Sequence, residues 1–170
     1  MNNLVVSWIP GGNAGTAVTI RHMAETVRKA LQDPRLRETA LGIVRACPGR
    51  DYVCQIRALR AWLVSRFRFR RDPWRLEWVM APAAQLAYVK AQGYVEGDCD
   101  DAAVLAAALG EALGFPARFA VLGFLGRRGP FSHVFTELEV PGAGWYELDV
   151  TRPVAAPQLT PSRLAFYRIE

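Results

Sequence analysis

One cysteine, Cys99, stands where a glycine-led turn passes into an alanine- and leucine-rich run: Gly97-Asp98-Cys99-Asp100-Asp101, then residues 102–109. A thiol attacks carbonyl carbon as its thiolate. A helix start favours that form, because unpaired N–H groups and the positive end of the helix dipole surround the first turn. Asp98 suits the N-cap, where its carboxylate accepts a free backbone N–H. The three neighbouring carboxylates work the other way and raise a thiol pKa. A nearby cation has to settle the balance, and the chain offers two histidines, His22 and His133. Asp149 supplies a carboxylate to orient an imidazole. Thiol, imidazole and carboxylate form a nucleophilic triad when they meet. Taken alone, Cys99 reads as a small buried residue; His133 and Asp149 in their motifs are what turn the reading to a triad.

The elements that must bring these groups together come late in the chain. The run after Cys99 has high helix propensity and ends near Leu113-Gly114, where glycine is a C-cap signal and Pro116 blocks continuation. The pattern then changes to period two. Residues 117–124, 132–140 and 145–150 read as strands separated by Gly126-Arg127-Arg128-Gly129-Pro130 and Pro141-Gly142-Ala143-Gly144. Short links imply an antiparallel meander. Pairing across the 141–144 turn places His133 opposite a position near 150, so His133 and Asp149 come close. Which face each occupies depends on the turn length. The tail carries Pro153, Pro157 and Pro161, and Ala165–Ile169 reads as a further strand closing the sheet.

Upstream, residues 17–32, 34–46 and 51–66 repeat apolar residues at helical spacing, broken at Asp33-Pro34 and Cys47-Pro48-Gly49. Residues 4–9 read as a short edge strand. Residues 10–16 read as a flexible glycine-rich loop, since they lack both the GK[ST] ending and the GxGxxG spacing of a phosphate cradle. Residues 67–80 read as extended, with a turn at Asp72-Pro73, and Ala81-Pro82 opens a short helix to about Gln92. Helices first and strands last make an α+β chain: N-terminal helices, with the cysteine at the start of a central helix packed on a C-terminal antiparallel sheet.

A chain of 170 residues with 51% hydrophobic and 22% charged residues is globular, and it has no apolar run of membrane-spanning length. The start, Met1-Asn2-Asn3-Leu4, has no secretory pattern, so the expected compartment is the cytoplasm. Three cysteines are an odd count and no CxxC occurs. Cys47 and Cys54 therefore read as core or helix-end residues rather than a disulfide framework, and no structural zinc is expected. The net charge of +5 is almost all arginine. Arg66, Arg68, Arg70, Arg71 and Arg75, mixed with Phe67, Phe69 and Trp74, have the composition of a nucleic-acid patch. The preferred reading is solvated arginines beside buried aromatics, so neither nucleic acid nor membrane is expected as a partner. Asp98, Asp100 and Asp101 read as capping, dipole or salt-bridge residues rather than metal ligands. Arg118 is a candidate partner for a buried one.

Several segments together resemble one family. They are Gly97–Asp101, Leu105–Ala112, Gly114-Phe115-Pro116-Ala117-Arg118, Ser132-His133-Val134-Phe135-Thr136-Glu137 and Gly144-Trp145-Tyr146-Glu147-Leu148-Asp149-Val150-Thr151-Arg152. These segments resemble the transglutaminase-like superfamily: a cysteine at a helix start, a G-[IF]-P-A-R link, an H-[AV]-[WYF]-x-E strand and a G-W-x-x-x-D-[PV]-T strand. The resemblance covers about residues 57–152, with every motif in the family's order, and maps its triad onto Cys99, His133 and Asp149. The GDCDD form is similar to short bacterial and prophage-associated members. Residues 1–50 carry no motif of the family and are taken as a helical N-terminal extension of a single domain, 1–170.

The resemblance implies papain-like chemistry without a cofactor or a metal. Cys99 would attack an amide carbonyl of a protein or peptide substrate, and water or an amine would resolve the thioester. The oxyanion would be held by the Cys99 N–H and one further donor, with Gln85, Gln92, Trp62, Trp74 and Trp78 as the choices. Asp98 stands where some eukaryotic transglutaminases carry glutamine, which argues against the calcium-dependent cross-linking enzymes. A thiolate paired with His133 implies alkylation at a pH well below that of a free thiol. The alternative is a non-catalytic binding or phage-assembly module that keeps the fold, suggested by the small size, the basic face and the helical N-terminus.

Overall fold

The computed structural model describes residues 4–7, 13–72, 77–124, 131–151 and 160–169. A short strand, β1 (Leu4–Ser7), is followed by three helices: α1 (Asn13–Ala30), α2 (Pro34–Val44) and α3 (Tyr52–Arg66). Asp33 caps α2 by accepting the Arg35 N–H, with Pro34 in the first turn, and Asp51 caps α3 by accepting the Cys54 N–H. Helix α1 begins at Asn13, inside the stretch read as a loop, so Asn13–Thr16 is helical. Burial of Ile20, Met23 and Val27 on the core side outweighs the weak propensity of Gly15. Residues 10–12, the rest of that stretch, lie outside the described residues.

The segment read as one extended piece contains two strands that belong to different sheets. Strand β2 (Phe67–Phe69) pairs in parallel with β4 (Val95–Gly97), and β3 (Glu77–Met80) pairs antiparallel with β1 (Leu4–Ser7). Between β3 and β4 runs α4 (Pro82–Gln92), closed by Gly93 at φ 87°. The arginine-rich run holds β4 from the side. Arg66 donates to the Gly93 carbonyl at 3.0 Å, Arg68 stacks 3.5 Å from the Tyr94 ring centroid and Arg70 pairs with Glu96 at 2.9 Å. These three arginines therefore fasten the segment that leads into Cys99, where the sequence reading has them merely solvated, and of the aromatics read as buried Phe67 is buried while Phe69 is exposed. Trp74 and Arg75 lie outside the described residues.

Helix α5 (Cys99–Ala112) is the axis of the molecule, and every residue from Ala102 to Gly110 is buried. A helix apolar all round must be covered all round. One buried cluster joins α5 to Met23 and Val27 of α1, Leu36 and Ala40 of α2, and Leu59 and Leu63 of α3. The sheet covers its remaining side. Strands β5 (Ala117–Gly123), β6 (His133–Val140), β7 (Gly144–Leu148) and β8 (Arg163–Arg168) are antiparallel in the order β7-β6-β5-β8. The expected α+β arrangement is present, and the tail does supply the edge strand beside β5. The β5–β6 turn and the proline-rich stretch before β8 lie outside the described residues.

Cys47 and Cys54 form a disulfide, contrary to the sequence expectation. Cys47 follows α2 and Cys54 sits in the first turn of α3, and the reversal between them brings their Cα atoms to 5.7 Å, within the span a disulfide can bridge. An odd cysteine count argues against complete pairing, but it allows one pair and one free thiol. Cys99 is that free thiol. Among the described residues, no helix is long and apolar enough to cross a membrane.

Candidate active site

Cys99 is fixed by the start of α5. The Asp98 side chain accepts the Asp100 N–H at 3.2 Å. The Asp101 carboxylate reaches back to the Asp98 N–H and also accepts the Met80 N–H at 2.6 Å. Side chain of the cap to the helix, and side chain of the third residue back to the cap, is a reciprocal capping box. It fixes the thiol's own turn and sews β3 onto it. Gly97 is required here, because a Cβ at that position would fall inside contact distance of Asp101 Oδ2. Gln85 braces the same point by donating to the Met80 and Asp101 carbonyls, each at 3.0 Å.

His133 begins β6, and Asp149 follows directly after β7. The register pairs Val140 with Gly144 and Thr136 with Leu148. Continued by one residue, it sets Asp149 opposite Phe135, one diagonal step from His133 on the same face. That settles the facing left open by the sequence. His133 Nε2 lies 2.6 Å from Asp149 Oδ2, and the pair is largely removed from water. Thr151, which the sequence reading gave no role, holds the other carboxylate oxygen through its N–H and its hydroxyl, both at 3.1 Å. Burial alone would push Asp149 up. The His133 hydrogen bond and charge, with the two Thr151 bonds, outweigh it and hold the carboxyl below its usual range. An ionised carboxylate only accepts, so Nε2 is the donor of this bond and Nδ1 is the ring nitrogen left outside it.

The backbone of Val134, the residue after His133, hydrogen-bonds Cys99. The nucleophile candidate and the His133 segment are therefore adjacent. Helix α5 and β6 are also tied by the Thr136 hydroxyl, which donates to the Ala103 carbonyl at 2.7 Å. The electrostatics differ from the expected thiolate. Burial pushes the Cys99 thiol well up, the Asp100 and Asp98 charges push it further, and the Val134 bond works against them. The Cys99 thiol points its weak hydrogen bond at Asp100 Oδ1, 3.5 Å away. The resting form is accordingly the thiol.

Other expected residues sort clearly. Arg118 pairs with Glu137 at 2.6 Å, between the Trp145 and Phe166 rings, rather than with an aspartate of the cysteine turn. Cross-strand register makes Arg118 and Glu137 direct neighbours, which the sequence order conceals. Gln85 has spent its amide N–H groups on the bonds above, and Gln92 donates to the Tyr94 carbonyl. The Trp78 indole N–H is buried with no hydrogen-bond partner among the described residues, while Trp62 packs against the core. Asp98, Cys99 and Asp100 bring ligand atoms within 4.8 Å of one another. The cap bond of Asp98 and the thiol contact of Asp100 account for that closeness.

A family model described as the transglutaminase-like superfamily matches residues 37–150, more than half of the chain and starting inside α2. Solved structures with a similar fold include a candidate cysteine protease from Cytophaga hutchinsonii, at TM-score 0.54 and 21% identity. That match covers 78% of this chain and 42% of the other. A candidate protease from Parabacteroides distasonis matches at TM-score 0.56 and 12% identity, over 86% of this chain and 29% of the other. The chain thus spans less than half the length of either protein. No curated protein matches it.

Proposed function

Because the chain belongs to the transglutaminase-like superfamily, we propose that it is a cysteine hydrolase or acyltransferase that acts on amide bonds of a protein or peptide. The observation that carries this reading is the 2.6 Å bond between His133 Nε2 and Asp149 Oδ2 beside a free cysteine bonded to the next backbone group. As substrate binds, the Sγ proton passes to His133 Nδ1 and Sγ bonds to the carbonyl carbon. Asp149 stabilises the imidazolium. The imidazolium then protonates the amide nitrogen, the C–N bond breaks and an amine leaves. A thioester stays on Cys99. Water or a second amine, deprotonated by Nδ1, displaces Sγ and regenerates the thiol. The Cys99 N–H is one oxyanion donor, and Trp78 is the candidate for the other, since Gln85 and Gln92 are engaged.

The test is intact-protein mass measurement after mixing with an activated acyl ester. One acyl group should appear on Cys99, be released by hydroxylamine, and be absent in Cys99→Ala and His133→Ala. The raised Cys99 thiol favours one other reading, a non-catalytic module that keeps the fold. Under that reading Cys99 stays unacylated, and partner capture survives Cys99→Ala.

A further inference from the structure

Strand β2 carries two phenylalanines on one face. Phe67 pairs in register with Val95, and Phe69 with Gly97. Phe67 and Val95 are buried, whereas Phe69 is 52% exposed. The apolar row therefore leaves the core just where β4 turns into the cysteine turn. Glycine opposite Phe69 leaves that flank of the ring uncovered by β4, and Asp101 leaves no room for a side chain there. The backbone at this point is held firmly, since the Arg70 N–H donates to the Gly97 carbonyl at 2.7 Å. The result is an aromatic ring half in water, on a fixed strand, paired with the residue two positions before the nucleophile candidate. Leu41, Val64 and Tyr88 are comparably exposed, but they lie on α2, α3 and α4 and not on the strand paired with Gly97.

We propose that Phe69 is a specificity-determining residue of the Cys99 site, packing against an apolar side chain of the acyl group. This rests on Cys99 being the nucleophile. The acyl group is the part of the substrate that stays bonded to Sγ, so its side chain is held closest to the Gly97–Cys99 turn. The strand that carries the ring is already fixed, so only the side chain loses freedom when it is covered, and removal of both apolar surfaces from water favours binding.

The experiment compares alkylation rates of Cys99 by the chloromethyl ketones of acetyl-leucine and acetyl-glycine, each divided by the iodoacetamide rate. In each case an Sγ–C bond forms, halide leaves and the thiol proton goes to His133 or solvent. The leucyl probe should exceed the glycyl probe by about tenfold in the natural protein. Phe69→Ser should bring the ratio close to one, Phe69→Leu should keep most of it, and Leu41→Ser should leave it in place. Equal rates for the two probes in the natural protein, or a ratio untouched by Phe69→Ser, overturn the proposal. A Cys99 inert to all three reagents instead removes the nucleophile reading beneath it.

Discussion

The Thr136 hydroxyl donates to the Ala103 carbonyl across 2.7 Å, and this bond ties the strand that begins with His133 to the helix that begins with Cys99. Thr136 is fully buried, so its removal leaves a carbonyl with less to bond. Thr136→Val, nearly the same shape, should lower the unfolding free energy by about 1–2 kcal/mol. It should also slow Cys99 alkylation, because the two halves of the site lose a fixed spacing. Thr136→Ser should restore both. Urea unfolding and iodoacetamide kinetics measure them separately; loss of stability with unchanged kinetics would show that the bond serves the fold alone.

The pH dependence of Cys99 follows from its surroundings. Burial comes first, then the Asp100 and Asp98 charges, all favouring thiol over thiolate. Alkylation by iodoacetamide should therefore keep rising into alkaline solution instead of levelling off below neutrality. Asp100→Asn removes a neighbouring charge and replaces the ionised acceptor of the thiol hydrogen bond with a weaker, neutral amide oxygen. It should move the profile toward lower pH and speed labelling at neutral pH several-fold. An unchanged profile in that variant would assign the shift to burial and Asp98 rather than to Asp100.

Asp101 makes stability fall with pH. Burial raises its carboxyl to about 7, against the Met80 and Asp98 N–H bonds that pull it down. The folded state thus holds a proton that the unfolded state releases near its ordinary carboxylate value. Stability linked to that proton is present below about pH 4 and lost as pH rises through about 7. Glu111 is shifted in the same direction, also to about 7, mainly by burial. Asp149 acts oppositely, since its lowered carboxyl makes stability fall only as the solution becomes strongly acid. Denaturant unfolding should show a decline on the order of 1–3 kcal/mol between about pH 5 and pH 8 that Asp101→Asn makes shallower, leaving the Glu111 part. The same slope in both proteins would exclude Asp101 as its source.

What the sequence made legible follows from the range of each interaction. The start of α5 could be read locally, because a glycine, an aspartate cap and an alanine-rich run are neighbours in the chain. So could the meander, whose turns are short enough to fix register to about one residue. The β2–β4 pairing could not, since Phe67 and Val95 are joined by α4 and by no periodic signal. Likewise, the Asp101–Met80 bond spans two elements, and from sequence Asp101 looked like a simple helix-start acid. Thr151 stood inside a quoted motif, yet its two bonds to Asp149 depend on the chain bending back after β7.

The Cys47–Cys54 disulfide should leave one titratable thiol per native chain without reductant and three when reduced and unfolded. It closes a short loop between α2 and α3, so its loop-closure contribution is modest, about 2 kcal/mol. Both helices pack on α5 through Leu36, Ala40, Leu59 and Leu63. Reduction or a double Cys47→Ala, Cys54→Ala change should thus lower the unfolding midpoint and leave Cys99 alkylation measurable. Three reactive thiols in the native, unreduced protein would show that the pair is not formed.

Gly97→Ala tests whether the cysteine turn and the Asp101 box are one unit. The added methyl would occupy the place of the Asp101 carboxylate, approaching its Oδ2, Cβ and Cγ, the last at 3.0 Å. Asp101 cannot retreat without releasing the Met80 N–H, and β2 holds the Gly97 carbonyl through Arg70. Displacement must fall on the Asp98–Cys99 turn. Overpacking of this kind costs about 1–3 kcal/mol, which urea unfolding can read. Cys99 alkylation and acylation should fall by more than that loss explains, measured well below the unfolding midpoint. Gly110→Ala is the comparison, since its methyl would meet Leu138 at 2.5 Å on the same helix, far from the thiol. That variant should lose comparable stability and keep its thiol chemistry. If the two variants behave alike, the cysteine turn tolerates the shift, and the tight Gly97–Asp101 contact has a packing role without a catalytic one.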